Sequence, residues 1–214
     1  MKKIMFNDRY GLTDAVLEGR KTVTRRNLTL TLHKEINDKL VEVFPSKIFL
    51  EDEKWKFVYD GMVFHLPKEN YPLYKIGEVI AIAERYCDEY EKIQEMKNDK
   101  LYFLIKEKGW NNKMFVKSDL MPHHIKITNI RIEKLQDISD EDCIKEGVEF
   151  HQKQYEENGI REYCVCGLKH WRAIGCYAYS TPKEAFSVLI DKISGKGTWK
   201  NNPFVWVYEF ELVD

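Results

Sequence analysis

The sequence lacks the features that mark membrane-spanning and secreted proteins. None of its apolar runs approaches the roughly 20 residues that a transmembrane helix requires. Its opening residues, MKKIMFNDRY, lack the long apolar stretch of a signal peptide. Its five cysteines are an odd number, which is more typical of reduced thiols than of a disulfide framework. We therefore expect a cytoplasmic protein with no membrane partner.

An excess of charge of one sign is also missing. Lysine and arginine total 34 against 35 aspartate and glutamate, which leaves a net charge of -1. A chain without net positive charge has no global attraction to a polyanion, so any contact with nucleic acid must come from a local patch. The length of 214 residues and the 43% hydrophobic content suffice for a sizeable core, and we expect a single domain over residues 1–214.

Alternation of apolar and polar residues predicts several strands. A hairpin is expected over 47–65 around the turn dipeptide Asp60-Gly61, and further strands over 78–84, 101–105, 125–135 and 204–212. The alternation changes phase at Thr128-Asn129, which indicates a β-bulge.

Three helices have readable ends. They are predicted over 12–19, 139–146 and 182–194, with the last one beginning at the capping box of Thr181 and Glu184. Many strands combined with few short helices predict a mixed α/β (α+β) fold, a small β-barrel with short helices packed at its ends.

A basic run, EGRKTVTRR, occupies residues 18–26 directly after the first predicted helix. One interpretation is a solvated basic turn. In the other interpretation Lys21 and Thr24 meet across a turn, and a lysine beside a hydroxyl is one way to activate a weak nucleophile.

Four segments together resemble the ASCH domain family, and in particular its larger prophage-type members. They are GRKTVTRR (19–26), YKIGEVIAIAERY (74–86), IRIEKLQDISDEDCIKEGV (130–148) and AFSVLIDKISGKGTWKNNPFVWVYEFE (185–211). The resemblance implies a PUA-like β-barrel with a cleft lined by charged and polar residues. Residues at about 28–72, 87–120 and 149–180 are then insertions.

The resemblance also implies a chemistry. Small bacterial members of the family include amidohydrolases that remove the acetyl group from N4-acetylcytidine and similar acylated pyrimidines with a lysine, a threonine and a glutamate. The corresponding residues here are Lys21, Thr24 and, by a gap-free match of LQDISDEDCIKEG, Glu146. Desolvation and neighbouring cations such as Arg20 or Arg25 would lower the pKa of the lysine and make it a base for the threonine hydroxyl. The glutamate would deliver a proton to the departing amine.

Each of these three residues also has a purely structural interpretation, as a solvated lysine, a strand threonine or a surface glutamate. The competing function is binding of RNA or a nucleotide without chemistry, which PUA-like domains commonly perform. Arg20, Arg25 and Arg26 would then contact phosphates, and Tyr86 would stack on a base. Glu84 would read a base edge or pair with Lys21 in the same cleft, or else be only a charge on an edge strand. The expected partner is a nucleoside or a single-stranded RNA segment, and no cofactor is implied.

One predicted insertion contains four residues that are common zinc ligands: Cys164, Cys166, His170 and Cys176. Their C-x-C spacing differs from the C-x2-C pairs of common zinc fingers. We therefore expect free cysteines in a buried loop rather than a metal site.

Overall fold

The computed structural model describes residues 1–28, 30, 32–36, 39–42, 44–97, 101–151, 162–164 and 179–213. The strands are β1 (Lys3–Ile4), β2 (Val23–Asn27), β3 (His33–Ile36), β4 (Lys39–Glu42), β5 (Lys47–Glu51), β6 (Lys54–Tyr59), β7 (Met62–His65), β8 (Val79–Ile82), β9 (His124–Lys134), β10 (Glu149–His151), β11 (Glu162–Cys164) and β12 (Phe204–Leu212). The helices are α1 (Leu12–Leu17), α2 (Tyr86–Lys97), α3 (Asp140–Lys145), α4 (Pro182–Ser194) and α5 (Thr198–Asn201), with short 3-10 turns between elements.

A five-stranded sheet forms the centre of the fold, in the order β1-β8-β9-β12-β2. Its pairs are antiparallel except that of β1 with β8. The long pair of β9 and β12 changes register where Glu209 faces Asn129 and Phe210 faces Ile127. Thr128 is therefore the extra residue, and the predicted bulge is confirmed.

Three smaller sheets come from the segments that the sequence predicts as insertions. β3 pairs with β4, β5 with β6 and β6 with β7, and β10 with β11. The predicted hairpin is confirmed: β6 and β7 are joined by Asp60 and Gly61, both at positive φ. The four ASCH-like segments instead contribute to the central sheet and to the helices α3 and α4.

The mixed α/β architecture is confirmed, whereas closure into a barrel is not found among the described residues. β1 and β2 each have one partner strand, so the central sheet is open at both edges. The strand predicted at 101–105 is wrong, because this segment is a 3-10 turn over Tyr102–Lys106. Leu101 and Leu104 are its buried side chains, and a spacing of three places them on one face of a 3-10 turn.

The three predicted helices are confirmed; α3 and α4 begin at the predicted hydroxyl caps, whereas α1 begins after Gly11 without a side-chain cap, so the predicted cap at Thr13 is wrong. The Ser139 hydroxyl accepts a hydrogen bond from the backbone N–H of Asp142 at the start of α3. The Thr181 hydroxyl accepts one from the backbone N–H of Glu184 at the start of α4. These contacts satisfy N–H groups that have no partner inside the helix.

β8 separates two apolar clusters. Ile80 and Ile82 belong to the main core, which α4 covers with Phe186, while Ala81 and Ala83 belong to a second cluster beneath α2. A strand that is buried on both faces has a continuous run of apolar residues in its sequence, as β8 does. Within the described part of the chain, no helix has both the length and the apolar character to cross a membrane.

Candidate active site

Lys21 lies in the turn between α1 and β2, and its backbone is fixed by both neighbouring helices. Its N–H donates to the carbonyl of Ala15 in α1 at 2.8 Å. The next N–H, of Thr22, donates to the carbonyl of Lys145 at the end of α3 at 3.0 Å. The Lys21 side chain is directed inward, and the residue is only 2% exposed.

Glu146 ends α3 and is held against the same turn. Its N–H donates to the carbonyl of Asp142, and the following residue, Gly147, reverses the chain at a φ of +100°. A Cβ at Gly147 would lie 3.0 Å from the Leu12 side chain and 3.7 Å from that of Lys21. Glycine therefore allows both the backbone conformation and the close approach of α3 to α1.

Lys21 and Glu146 form a buried ion pair. The Lys21 Nζ donates to Glu146 Oε2 at 2.5 Å, and also to the carbonyls of Glu146 at 2.8 Å and of Val23 at 2.7 Å. Burial lowers the pKa of Lys21 below its ordinary 10.5; the Glu146 carboxylate opposes this shift, and the positive charges of Arg26 and Arg25 add to it. The expected contribution of Arg25 to the lowered pKa is thus present.

Arg25 connects this pair to a larger network of charges. Its guanidinium donates to Glu133 at 2.7 Å, to Asp142 at 2.7 Å and to Glu146 at 3.2 Å. Arg131 adds ion pairs to Glu133 and Asp142. Three carboxylates thus surround one buried guanidinium, a geometry for which the planar fork of arginine is suited.

Sequence reasoning missed Glu133, Asp142 and Arg131. Arg25 and Arg131 face each other across Val207 of β12, because each is the register partner of that residue. The one available signal is the alternation in IRIEK, which puts Arg131 and Glu133 on the same face of β9. Alternation alone does not reveal which strand lies opposite.

A cavity of about 680 Å³ opens beside the ion pair. It is lined by Met5, Phe6, Asn7, Asp8, Arg9, Leu12, Lys21, Thr24, Arg25, Arg26, Asn27, Lys113, Glu146, Phe186, Leu189, Ile190, Ile193 and Ser194. Its volume lies in the range of about 300–1,000 Å³ that is usual for small-molecule sites. α4 thus contributes mainly apolar side chains to the cavity, and the other elements contribute its charged groups.

Thr24 belongs to β2 and lines this cavity with Lys21 and Glu146. The residue is buried, and its hydroxyl has no hydrogen-bond partner within the described residues. The Lys21 Nζ contacts the carbonyl of Val23, which is the peptide group that joins Val23 to Thr24. The structure therefore brings the three predicted catalytic side chains together at one cavity, with a hydroxyl that is not engaged elsewhere.

Of the predicted binding residues, Arg25 and Arg26 line the cavity and Arg20, Glu84 and Tyr86 do not. Arg20 points outward and pairs with Glu18 and Glu149 at 2.6 and 2.5 Å. The carboxylate of Glu84 contacts His123 Nδ1 at 2.6 Å.

Tyr86 is 1% exposed in the second apolar cluster, and its hydroxyl accepts a hydrogen bond from the N–H of Lys117. A base stacks on an open face of an aromatic ring, and a tyrosine packed in this way has no open face, so it is not a stacking platform.

The candidates for metal binding are the predicted zinc ligands and, separately, a group of two glutamates and one histidine. Of the four predicted zinc-ligand candidates, Cys164 is buried in β11, and Cys166, His170 and Cys176 lie outside the described residues.

Glu84, Glu89 and His123 have ligand atoms within 4.8 Å of one another. Lys92 lies among them, with its Nζ 2.8 Å from Glu89 and 3.5 Å from His123 Nε2. The hydrogen bond to Glu84 raises the pKa of His123. These groups therefore compensate one another as a charge cluster without a metal ion.

Comparison of the chain with protein-family models, with curated proteins and with solved structures found no match. The resemblance to the ASCH family therefore stays a prediction from the four sequence segments.

Proposed function

We propose that this chain is an ASCH-type protein with a PUA-like fold that removes an acyl group from an N4-acylated pyrimidine nucleoside such as N4-acetylcytidine. The observation that carries the proposal is the meeting of Lys21, Glu146 and Thr24 at one cavity, with the lysine buried and its pKa lowered. The central sheet and the helices that hold these residues come largely from the four segments that resemble the family.

The buried ion pair supplies both an acid and a base. The Lys21 ammonium donates to Glu146 Oε2 at 2.5 Å, and transfer of that proton to the carboxylate would leave a neutral amine beside a neutral carboxylic acid. A substrate that expels water from the cavity favours this uncharged arrangement, because burial penalises separated charges. The amine is then the base and the carboxylic acid is the proton donor.

The acyl group is then removed in two steps, formation of an ester on Thr24 and its hydrolysis. The Thr24 Oγ attacks the acyl carbonyl as its proton passes to the Lys21 amine, and the C–N bond breaks as Glu146 protonates the departing cytosine nitrogen. Water then hydrolyses the Thr24 ester, releasing a carboxylic acid and restoring the hydroxyl.

The test is release of free cytidine from a panel of N4-acylated cytidines by the purified chain. Thr24→Ala should reduce turnover to background, whereas Thr24→Ser should retain it because a hydroxyl remains. Thr22→Ala is the matched control, since Thr22 lies two residues away and does not line the cavity. Full activity of Thr24→Ala with any substrate of the panel would refute the nucleophile assignment.

Binding of RNA or a nucleotide without chemistry is the second candidate function. It is favoured by the five cationic side chains that line the cavity, against two carboxylates. Affinity for a single-stranded RNA oligonucleotide, together with no release of cytidine by wild type above the Thr24→Ala level, would support this candidate instead.

A further inference from the structure

The charges around the cavity are unevenly compensated. Lys21 is paired with Glu146, and Lys113 with Asp8 at 2.6 Å. Arg25 is surrounded by three carboxylates. These cations have their partners in the folded chain, and a ligand would gain little new charge compensation from them.

Arg26 and Arg9 differ from the other cations of the cavity. Arg26 donates from Nη2 to the carbonyl of Met5 at 2.7 Å, and its guanidinium lies 5.9 Å from the centre of the Phe6 ring. Arg9 lies over the ring of Tyr10. Neither guanidinium has a carboxylate partner anywhere in the described residues, so two unneutralised positive charges line a cavity in a chain whose net charge is -1.

The part of the cavity lined by α4 has a different character. Phe186, Leu189 and Ile190 of α4 are buried core residues that also line the cavity. An apolar wall accepts the flat face of a pyrimidine, and guanidinium groups accept the oxygens of a phosphate in a bidentate manner. A neutral nucleoside would leave the guanidiniums without an anion.

We infer that the ligand of this cavity is a pyrimidine nucleotide rather than a free nucleoside, with its phosphate held by Arg26 and Arg9. This inference rests on the proposed pyrimidine site and specifies its substrate class. Arg26 is the main phosphate contact, because it is the more buried of the two and is fixed by Met5. Arg9 is exposed at the rim and adds attraction that salt weakens.

The test compares binding of cytidine and cytidine 5′-monophosphate to the full chain by isothermal titration calorimetry. Wild type should bind the monophosphate about tenfold more tightly or better, since a charge-assisted contact of this kind is worth at least that factor. Arg26→Gln should remove most of this gain and leave cytidine binding within about twofold. Lys54→Gln, which removes one positive charge from an exposed strand residue outside the cavity, should change neither affinity.

Equal affinity of wild type for the two ligands, or an unchanged gain in Arg26→Gln, would overturn the inference. Absence of binding for both ligands would overturn it together with the pyrimidine site. Tighter binding of the monophosphate without deacylation of any N4-acylated cytidine or N4-acylated cytidine 5′-monophosphate would support it while refuting the hydrolase. Binding rather than turnover is the proper readout, because Arg26 also lowers the pKa of Lys21 and its removal would alter catalysis for that separate reason.

Discussion

The substitution Glu146→Gln tests whether the ion pair is as buried and as necessary as its geometry indicates. It keeps the shape of the side chain and removes one negative charge from between two cations. The Lys21 Nζ lies 2.5 Å from one carboxylate oxygen and the Arg25 Nη1 lies 3.2 Å from the other. The lysine and arginine side chains are 1% and 0% exposed, so water cannot solvate the positive charges that the substitution leaves without this partner.

The magnitude follows from the cost of leaving a buried charge unpaired. Removing one partner of a buried ion pair typically costs about 3–5 kcal/mol. The lower end applies here, because Lys21 keeps two backbone carbonyl acceptors and Arg25 keeps two other carboxylates. A loss of about 3 kcal/mol in the free energy of unfolding corresponds to roughly 6–12 °C in Tm for a chain of this size.

Glu141→Gln is the matched control. Glu141 lies on the same helix and pairs with Lys145 at 2.6 Å, almost the same separation, but the two side chains are 76% and 44% exposed. Exposed pairs of this kind contribute little to stability, so no appreciable change in Tm is expected. Urea unfolding of the full chain, followed by tryptophan fluorescence, measures both variants.

Equal losses of stability in Glu146→Gln and Glu141→Gln would refute the reasoning. A double-mutant cycle gives an independent check: Lys21→Met should cost less in the Glu146→Gln background than in wild type, since it then removes a charge that has lost its partner. Strictly additive losses would show that the two side chains do not interact.

Three further predictions concern the same region. Gly147→Ala should lower the free energy of unfolding by about 1–3 kcal/mol, and by more than Gly195→Ala does. The two glycines have φ values of +100° and +109°, but only at Gly147 would the added Cβ lie 3.0 Å from another side chain. Free energies of unfolding measure the difference. Arg25→Lys should lose about 2–3 kcal/mol, since an ammonium cannot serve three carboxylates as a guanidinium does, whereas the same change at exposed Arg20 should have little effect in the same assay. Burial lowers the pKa of Lys21 in the folded chain, so between that lowered pKa and 10.5 the unfolded chain binds more protons than the folded one. The free energy of unfolding of wild type, relative to that of Lys21→Met, should therefore rise as pH rises towards 10.5. A difference between the two proteins that stays constant over this range would contradict the lowered pKa.

Local patterns predicted most elements of the central sheet. The alternation over 125–135 and 204–212 gave β9 and β12, and the change of phase at Thr128-Asn129 gave their bulge. Hydroxyl caps at Ser139 and Thr181 gave the starts of α3 and α4. These signals are local, because a strand face or a helix cap depends on residues within a few positions.

Features that depend on distant pairing could not be predicted in the same way. The segment LYFLI has a strand-like composition, but its burial is decided by how Leu101 and Leu104 pack in the second cluster. The basic run suggested a role for Lys21 and the family resemblance implied one for Glu146, yet their contact joins positions 125 residues apart and follows from neither local pattern. The contacts of Arg25 with Glu133 and Asp142 require the register of β2 and β9 on β12 as well as the position of α3.

The charge network is costly to bury, which bears on why this chain contains it. Buried ion pairs are often no more stabilising than apolar residues of the same volume, because desolvation offsets their attraction. Stability alone therefore does not account for Lys21 and Arg25 inside a core that consists mainly of apolar side chains. A lysine whose pKa is lowered by burial, fixed by two carbonyls and a carboxylate at the cavity that Thr24 also lines, is what proton transfer requires. That requirement explains the network if Thr24 reacts, and activity that survives loss of the Thr24 hydroxyl would leave the network without this explanation.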